Sequence, residues 1–200
     1  MDAMNSLPVI ILYEPRILLR RGLTTRLQDE GHQVVSCTST EQLTEEICLQ
    51  TGRPRVLLVG VGGLGNTLLR ILRTLHATHK LSLKTLVYLP QHDDVLARMF
   101  KGAGASHCLT EDELESQLLS LIPGAVTACR RGVLLTPSEL NVLIDYASGL
   151  QASEIAVRRN CSYKTVSTIK LLVRNRLNIE TKSSWVNLLT HIDQLTSLYK

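Results

Sequence analysis

Aromatic side chains are scarce in this chain: one Trp, one Phe and five Tyr among 200 residues. A core must therefore be built from Leu, Val, Ile and Ala. Long apolar runs are missing as well. None approaches the ~20 residues that a membrane-spanning helix requires, so no membrane partner is expected. The opening MDAMNSLP lacks the basic start and apolar stretch of a secretory signal, which gives a cytoplasmic location as the expectation. The five cysteines (Cys37, Cys48, Cys108, Cys129 and Cys161) are odd in number and widely spaced, with no C-x-x-C. That pattern argues for buried thiols in a reducing compartment, with a redox switch as the lesser alternative. No Ser/His/Asp or Cys/His grouping supports hydrolytic chemistry, so neither a catalytic residue nor a cofactor is expected. His76 and His79 stand three apart on one helix face, but no third ligand is evident, and a solvent-facing pair is the simpler reading.

Charge is unevenly distributed. Residues 1–125 carry 12 Lys and Arg against 13 Asp and Glu, whereas residues 126–200 carry 10 against 5. The positive balance therefore belongs to the C-terminal third, which points to a nucleic-acid partner there.

The first 123 residues alternate short apolar runs with helical stretches. Strands are predicted at Val9–Tyr13, Val34–Cys37, Val56–Val59, Thr85–Leu89 and Ser106–Leu109. Helices are predicted at 16–30, 40–50, 65–79, 92–102 and 112–121. Five strands alternating with five helices read as an α/β fold, a five-stranded doubly wound parallel sheet. The expected division is an α/β domain over 1–123, a linker over 124–134 and a helical domain over 135–200. Asp93, Asp94 and the acidic run 111–115 are most simply helix-start charges.

The run VLLVGVGGLGNTLLRIL places Gly60, Gly62 and Gly65 in a G-x-G-x-x-G spacing between a strand and a helix. A dinucleotide site needs an acidic residue after the next strand to hold the ribose. The sequence there is LKTLVYLPQ, with no acid before Asp93. The motif also begins at the third strand, leaving too little chain for a full dinucleotide fold. A permissive turn is the better reading, and a small anion held by backbone N–H groups at the helix start stays open.

Residues 152–177, ASEIAVRRNCSYKTVSTIKLLVRNRL, read as a short helix, a tight turn and a longer helix. Ser162 is a natural N-cap, and Val166, Ile169, Val173 and Leu177 form one apolar stripe at helical spacing. Lys164, Thr168, Leu171 and Asn175 lie opposite, flanked by Thr165, Ser167 and Arg174. Across 150–179 six basic residues face one acid. A helix with an apolar back and a polar, basic front suits a DNA major groove, although a solvated amphipathic helix shows the same pattern. Thr136-Pro137-Ser138-Glu139 is a capping box with Pro at the first helical position.

From Leu135, the run LTPSELNVLIDYASGLQASEIAVRRNCSYKTVSTIKLLVRNRLNI resembles the LuxR/FixJ-type (NarL-like) helix-turn-helix domain. The segments RRGL at 20–23 and HDDVLARMFKGAGASHCLT at 92–110, together with the order of elements, resemble a CheY-like receiver. The resemblance implies a response-regulator architecture with a four-helix DNA-binding module. It places base-facing positions at Ser167, Thr168 and Leu171, with Thr165 on the same surface and Lys164, Lys170 and Arg174 near phosphates. It makes the final helix, expected over Ser184–Tyr199, the dimer contact through Trp185, Leu188, Leu189 and Ile192. The apolar stripe of that helix is wider than one small domain needs. Arg159 stands where the family usually has an apolar residue.

Receiver chemistry in that family needs a carboxylate phosphoacceptor, a pair of acids for Mg²⁺, a hydroxyl and a Lys. Here the third strand ends in Gly60, Tyr13-Glu14-Pro15 follow the first, Pro90 closes the fourth and Thr110 the fifth. No phosphoacceptor and no metal site are expected, which implies a pseudo-receiver like that of auxiliary regulators of the RcsA type. The reading that follows is a DNA-binding transcription regulator acting as a homodimer or heterodimer. An interaction protein that modulates a partner regulator is the alternative, and a nucleotide-binding enzyme a distant third. Calorimetric titration with NAD and NADP is expected to show no binding. Micromolar binding would revive the enzyme reading.

Overall fold

The computed structural model describes residues 7–49, 53–81, 83–123 and 134–197; the expected linker lies outside them except for Leu134. Five parallel strands form one sheet: β1 (Val9–Tyr13), β2 (Val34–Cys37), β3 (Arg55–Gly60), β4 (Lys84–Leu89) and β5 (His107–Thr110), in the order β2-β1-β3-β4-β5. Every residue of β1 and β4 is buried, because helices cover both faces. This is the continuous apolar pattern of a parallel sheet rather than an alternating one. Ile10, Leu12, Leu58 and Leu86 point to the side covered by α1 (Ile17–Asp29) and α5 (Glu111–Leu121). Ile11, Leu57, Val59 and Val87 point to the side of α2 (Thr40–Cys48), α3 (Leu68–Thr78) and α4 (Asp94–Gly102).

Four further helices follow: α6 (Pro137–Ala147), α7 (Ala152–Arg158), α8 (Tyr163–Arg176) and α9 (Lys182–Ser197). Their starts are fixed locally. Thr136 and Glu139 form the reciprocal cap of α6, with Pro137 in its first turn. Ser162 Oγ accepts from the Thr165 N–H at 3.0 Å to start α8.

Several boundaries differ from the sequence reading. The helix expected over 65–79 divides into a 3-10 turn at Gly65–Thr67, α3, and a second 3-10 turn at His79–Leu81. The last helix begins at Lys182 rather than Ser184, because Thr181 Oγ1 takes the Ser184 N–H at 3.0 Å. Asp93 lies outside α4 as its cap, accepting from Val95 N and Leu96 N at 2.9 Å. His76 is not a solvent-facing residue. Its Nε2 lies 2.8 Å from the Leu135 carbonyl and ties the helical module to the sheet domain. Of the thiols, Cys37 is buried and burial pushes its pKa up to about 11, whereas Cys48 is exposed. Cys129 lies outside the described residues.

The two parts share one core. Trp185, Leu188, Ile192 and Leu195 of α9 belong to the same apolar cluster as Leu68, Leu96 and Phe100 of the sheet domain. Polar ties run along this seam. Leu135 N donates to Gly102 O at 2.9 Å, Arg98 donates to Asn178 O at 3.0 Å, and His191 Nδ1 lies 2.6 Å from Asp93.

At the C-terminal edge of the sheet, where receiver chemistry would sit, the space is filled. Glu14 is wholly buried. Its Oε1 accepts from the Arg16 backbone N–H at 2.8 Å and from Nε at 2.9 Å. Its Oε2 accepts from Arg16 Nη2 at 3.0 Å and from the Tyr88 hydroxyl at 2.5 Å. The far side of Arg16 meets Glu111 at 2.7 Å. Bonding to Glu14 and then to Glu111 holds the Arg16 pKa above its ordinary value, against the opposing effect of burial. Burial, followed by the neighbouring Glu14, raises that of Tyr88.

The two glycines at this edge are required by close approach. A Cβ on Gly60 would lie 2.1 Å from Glu14 Oε2 and 2.6 Å from the Tyr88 hydroxyl; one on Gly62 would lie 2.8 Å from the Arg16 guanidinium. Gly65, with φ +52°, turns the chain into the 3-10 segment and packs beneath the Thr196 carbonyl of α9. The glycine spacing is therefore a filled turn and a seat for α9.

Gly60→Ala forces a methyl into the space of a buried carboxylate and is expected to cost about 2–3 kcal/mol by overpacking. Gly22→Ala, in the middle of α1 with nothing within 4 Å of the new Cβ, is expected to be neutral or to stabilise by up to about 1 kcal/mol. Chemical denaturation of both variants checks the contrast.

Candidate nucleic-acid interface

Helix α8 is held from behind by its apolar stripe. Val166 and Val173 are wholly buried, Leu177 nearly so and Ile169 half-buried. Val166 packs with Ile155 of α7 and Val142 of α6, so the pair α7–α8 stands on α6. Between α7 and α8 the turn passes through Asn160 at φ +49°, a left-handed conformation that Asn tolerates. Gly149, at φ +85°, lies just past the end of α6.

Buried acids brace the scaffold. Asp145 of α6 is 1% exposed and its carboxylate takes Arg159 Nε, while Arg159 Nη2 donates to the Asn141 carbonyl at 3.0 Å. The unusual Arg159 is thus a structural partner of Asp145. Glu139, 3% exposed, pairs with Arg176 Nε at 2.8–2.9 Å. Arg158 Nη1 lies 3.4 Å from the other Asp145 oxygen, so three of the six basic residues counted across 150–179 meet internal acids. The local excess open to a ligand is smaller than the sequence suggests.

The front of α8 is open. Lys164, Thr165, Thr168 and Leu171 are exposed. Thr168 Oγ1 donates back to the Lys164 carbonyl at 3.0 Å, and the Thr165 hydroxyl lies 2.9 Å from that of Ser162. Among the expected base-facing residues, Thr168 and Leu171 point outward and Ser167 is half-buried at the side.

The other two expected phosphate residues have internal contacts. Lys170 Nζ stands 5.0 Å from the ring centroid of Tyr146 and 5.2 Å from that of Trp185. Burial, then Arg174 and Lys182, pull its pKa down. Arg174 donates from Nε to the Ile179 carbonyl at 3.2 Å and from Nη2 to Glu180 O, closing the end of α8. Lys182 and Val186 lie beside them on α9, and the sequence reading did not single out either. Their only signal was their place in the first turns of the last helix.

The residues expected at the dimer contact pack within this chain. Trp185, Leu188 and Ile192 are 3%, 0% and 0% exposed, and Leu189 is half-buried, all within this chain. Trp185 meets Tyr146 edge-on with ring centroids 5.6 Å apart. The stripe is wide because α9 covers two bodies: one side packs on α6, the other on α4 and the 65–67 turn. In this arrangement Trp185, Leu188 and Ile192 are covered, and only Leu189 keeps an open side.

No helix among the described residues is long and apolar enough to cross a membrane, and no group of three or more potential metal ligands is found among them. No curated protein matches the chain in sequence. Among solved structures, it is similar to RcsB from Salmonella enterica serovar Typhimurium bound to promoter rprA. Identity is 20%, covering 92% of this chain and 98% of that one, with a TM-score of 0.52. It is similar also to the same protein bound to promoter P1flhDC, at 21% identity over 93% and 100% of the two chains and a TM-score of 0.51. Full-length FixJ from B. japonicum aligns at 19% identity over 92% and 97%, with a TM-score of 0.47. The RcsB matches establish a shared fold, a receiver-like α/β domain followed by a helix-turn-helix module. Residues 133–189 match the family model for bacterial regulatory proteins of the luxR family. The chain therefore carries, at its C-terminal end, a domain of the LuxR family of bacterial regulatory proteins.

Proposed function

We propose that this chain is a sequence-specific DNA-binding transcription regulator whose receiver-like domain works without phosphorylation. The observation that carries the first half is α8: a Ser162-capped helix with a buried apolar back and an exposed Lys164/Thr165/Thr168/Leu171 front, set in a LuxR-family module. Such a front can lie in the major groove, with the Thr168 methyl and Leu171 against thymine methyls and the hydroxyls on base edges. Lys164 and the free part of Arg174 then serve the phosphates. DNA as the target places the protein in the cytoplasm, and no catalytic role is assigned to it.

The second half rests on the filled receiver edge. Gly60 has no side chain to phosphorylate, and Glu14 has both oxygens engaged by Arg16 and Tyr88. Thr110 caps α5 and so holds the helix instead of answering a phosphate. Control then falls to protein level, a partner or a ligand.

A dimer on two half-sites is part of the proposal. If Trp185, Leu188, Leu189 and Ile192 form its contact, α9 must first leave α4. The alternative, an auxiliary protein that pairs with another regulator and binds DNA weakly itself, draws on one specific observation. Lys170 and Arg174 are partly consumed by internal contacts, leaving a short reading face.

Lys164→Ala is expected to weaken binding to all duplexes similarly and to lower the salt slope by about 0.9, whereas Thr168→Ala should change which sequences are preferred. Affinity measured at several ionic strengths, on a footprinted site and on random duplex, separates the two. An unchanged affinity and slope for Lys164→Ala would rule out this docking. Incubation with acetyl phosphate and Mg²⁺ is expected to leave intact mass and DNA affinity unchanged. A stable phosphoryl adduct that strengthens binding would overturn the pseudo-receiver assignment.

A further inference from the structure

A groove of about 390 Å³ runs between α8 and α9 and borders the reading face, sharing Ser167 and Leu171 with it. Three cations line it: Lys170 and Arg174 from α8 and Lys182 from α9. Its apolar surface comes from Leu171, Val186 and Trp185, and Ser167 stands on the wall nearest the reading face.

The cations here differ from three arginines that are neutralised inside the chain. Arg16, Arg159 and Arg176 each meet a buried carboxylate. Among the described residues, no carboxylate is paired with Lys170, Arg174 or Lys182. The three crowd one another, and that mutual repulsion is part of what lowers the Lys170 pKa. Lys170 is steadied instead by two aromatic rings, which hold a cation without neutralising it. A site of this kind is completed by an anion from outside.

The apolar surface narrows the choice. Leu171 and Val186 are 53% and 57% exposed, and a bare inorganic anion would leave both wet. A sugar–phosphate strand alternates negative charge with an apolar sugar face and satisfies both kinds of wall. Because Ser167 joins the groove to the α8 front, a strand contacted at Lys164 and Thr168 can continue into it.

We propose that this groove holds the DNA backbone flanking the α8 reading face, with Lys182 as a phosphate contact and Val186 against deoxyribose. The inference rests on the DNA-binding reading above. It assigns α9 a share in DNA binding that is separate from its packing on the sheet domain.

The test uses the full chain, a random-sequence duplex and a series of NaCl concentrations. Lys182→Ala is expected to lower the slope of log affinity against log salt by about 0.9, one phosphate contact, without altering sequence preference. Lys182→Arg should keep the wild-type slope. Lys182 is exposed, so circular dichroism should show the same fold for each variant. If Lys182→Ala leaves the slope unchanged while Lys164→Ala lowers it, the groove assignment is wrong and the docking of α8 stands. If neither variant changes affinity, the DNA-binding reading fails, and the groove assignment with it. Trp185, the chain's single Trp, reports on the groove directly. A change in its emission with inorganic phosphate or thymidine monophosphate equal to that with duplex, and lost in Lys182→Ala, would overturn the strand assignment in favour of a small-anion pocket.

Discussion

A buried carboxylate costs several kcal/mol unless it is paired and its lone pairs are filled. Glu14, wholly buried at the end of β1, imposes that constraint on the sheet domain. Arg16 and Tyr88 answer it, drawing the start of α1 and the end of β4 onto one side chain. Gly60 must then lack a Cβ, because Glu14 and Tyr88 occupy its place, and Gly62 must lack one, because Arg16 does. The glycine-rich turn that results leads into the 65–67 segment on which α9 rests. One unpaired acid in the wrong place would disturb β1, β3, β4 and, through them, the seat of the helical module.

The same logic recurs in that module. Glu139 and Asp145 are nearly inaccessible; Glu139 is matched by Arg176 of α8, and Asp145 by Arg158 and Arg159 at the end of α7. These pairs tie α8 and the end of α7 to α6, and so set how the front of α8 is presented. They also divide the basic residues into two groups that net charge cannot distinguish. Some arginines neutralise acids inside the chain. Among the described residues, Lys164, Lys170, Arg174 and Lys182 are paired with no carboxylate. Net charge in the sequence sums both groups, whereas only the second bears on a polyanionic partner.

Much of this was legible in the residues. All five strands fall where apolar runs predict them, since a parallel sheet covered on both faces needs continuous rather than alternating apolar sequence. Ser162 and the Thr136–Glu139 box cap the helices they were expected to cap, because capping is a local chemistry of four residues. Long-range partnerships were not legible. Arg16 and Tyr88 are far apart from one another in the chain, and nothing local marks Tyr88 as the group that fills the space above Gly60. The solvent-facing reading of His76 failed for the same reason: its partner, the Leu135 carbonyl, comes 59 residues later. Arg159, standing where the family usually has an apolar residue, finds its reason only in Asp145, 14 residues earlier in the chain.

Helix α9 shows how one amphipathic pattern supports two incompatible uses. A stripe broader than a small bundle requires has to be covered, and here the sheet domain covers it: α4 and the 65–67 turn lie against the same side that a second copy would need. The apolar contact is joined by His191–Asp93, Arg98–Asn178 and His76–Leu135, so separation would cost polar ties as well as apolar area. The dimer contact proposed for that stripe would need the surface that docking onto the sheet domain already buries, so the two arrangements exclude each other. The front of α8 and its groove face away from this contest. Lys164, Thr168, Leu171 and Val186 are exposed while the chain is closed. The exposed front of α8 is thus accessible in the closed chain, whereas the apolar stripe of α9 is covered in it.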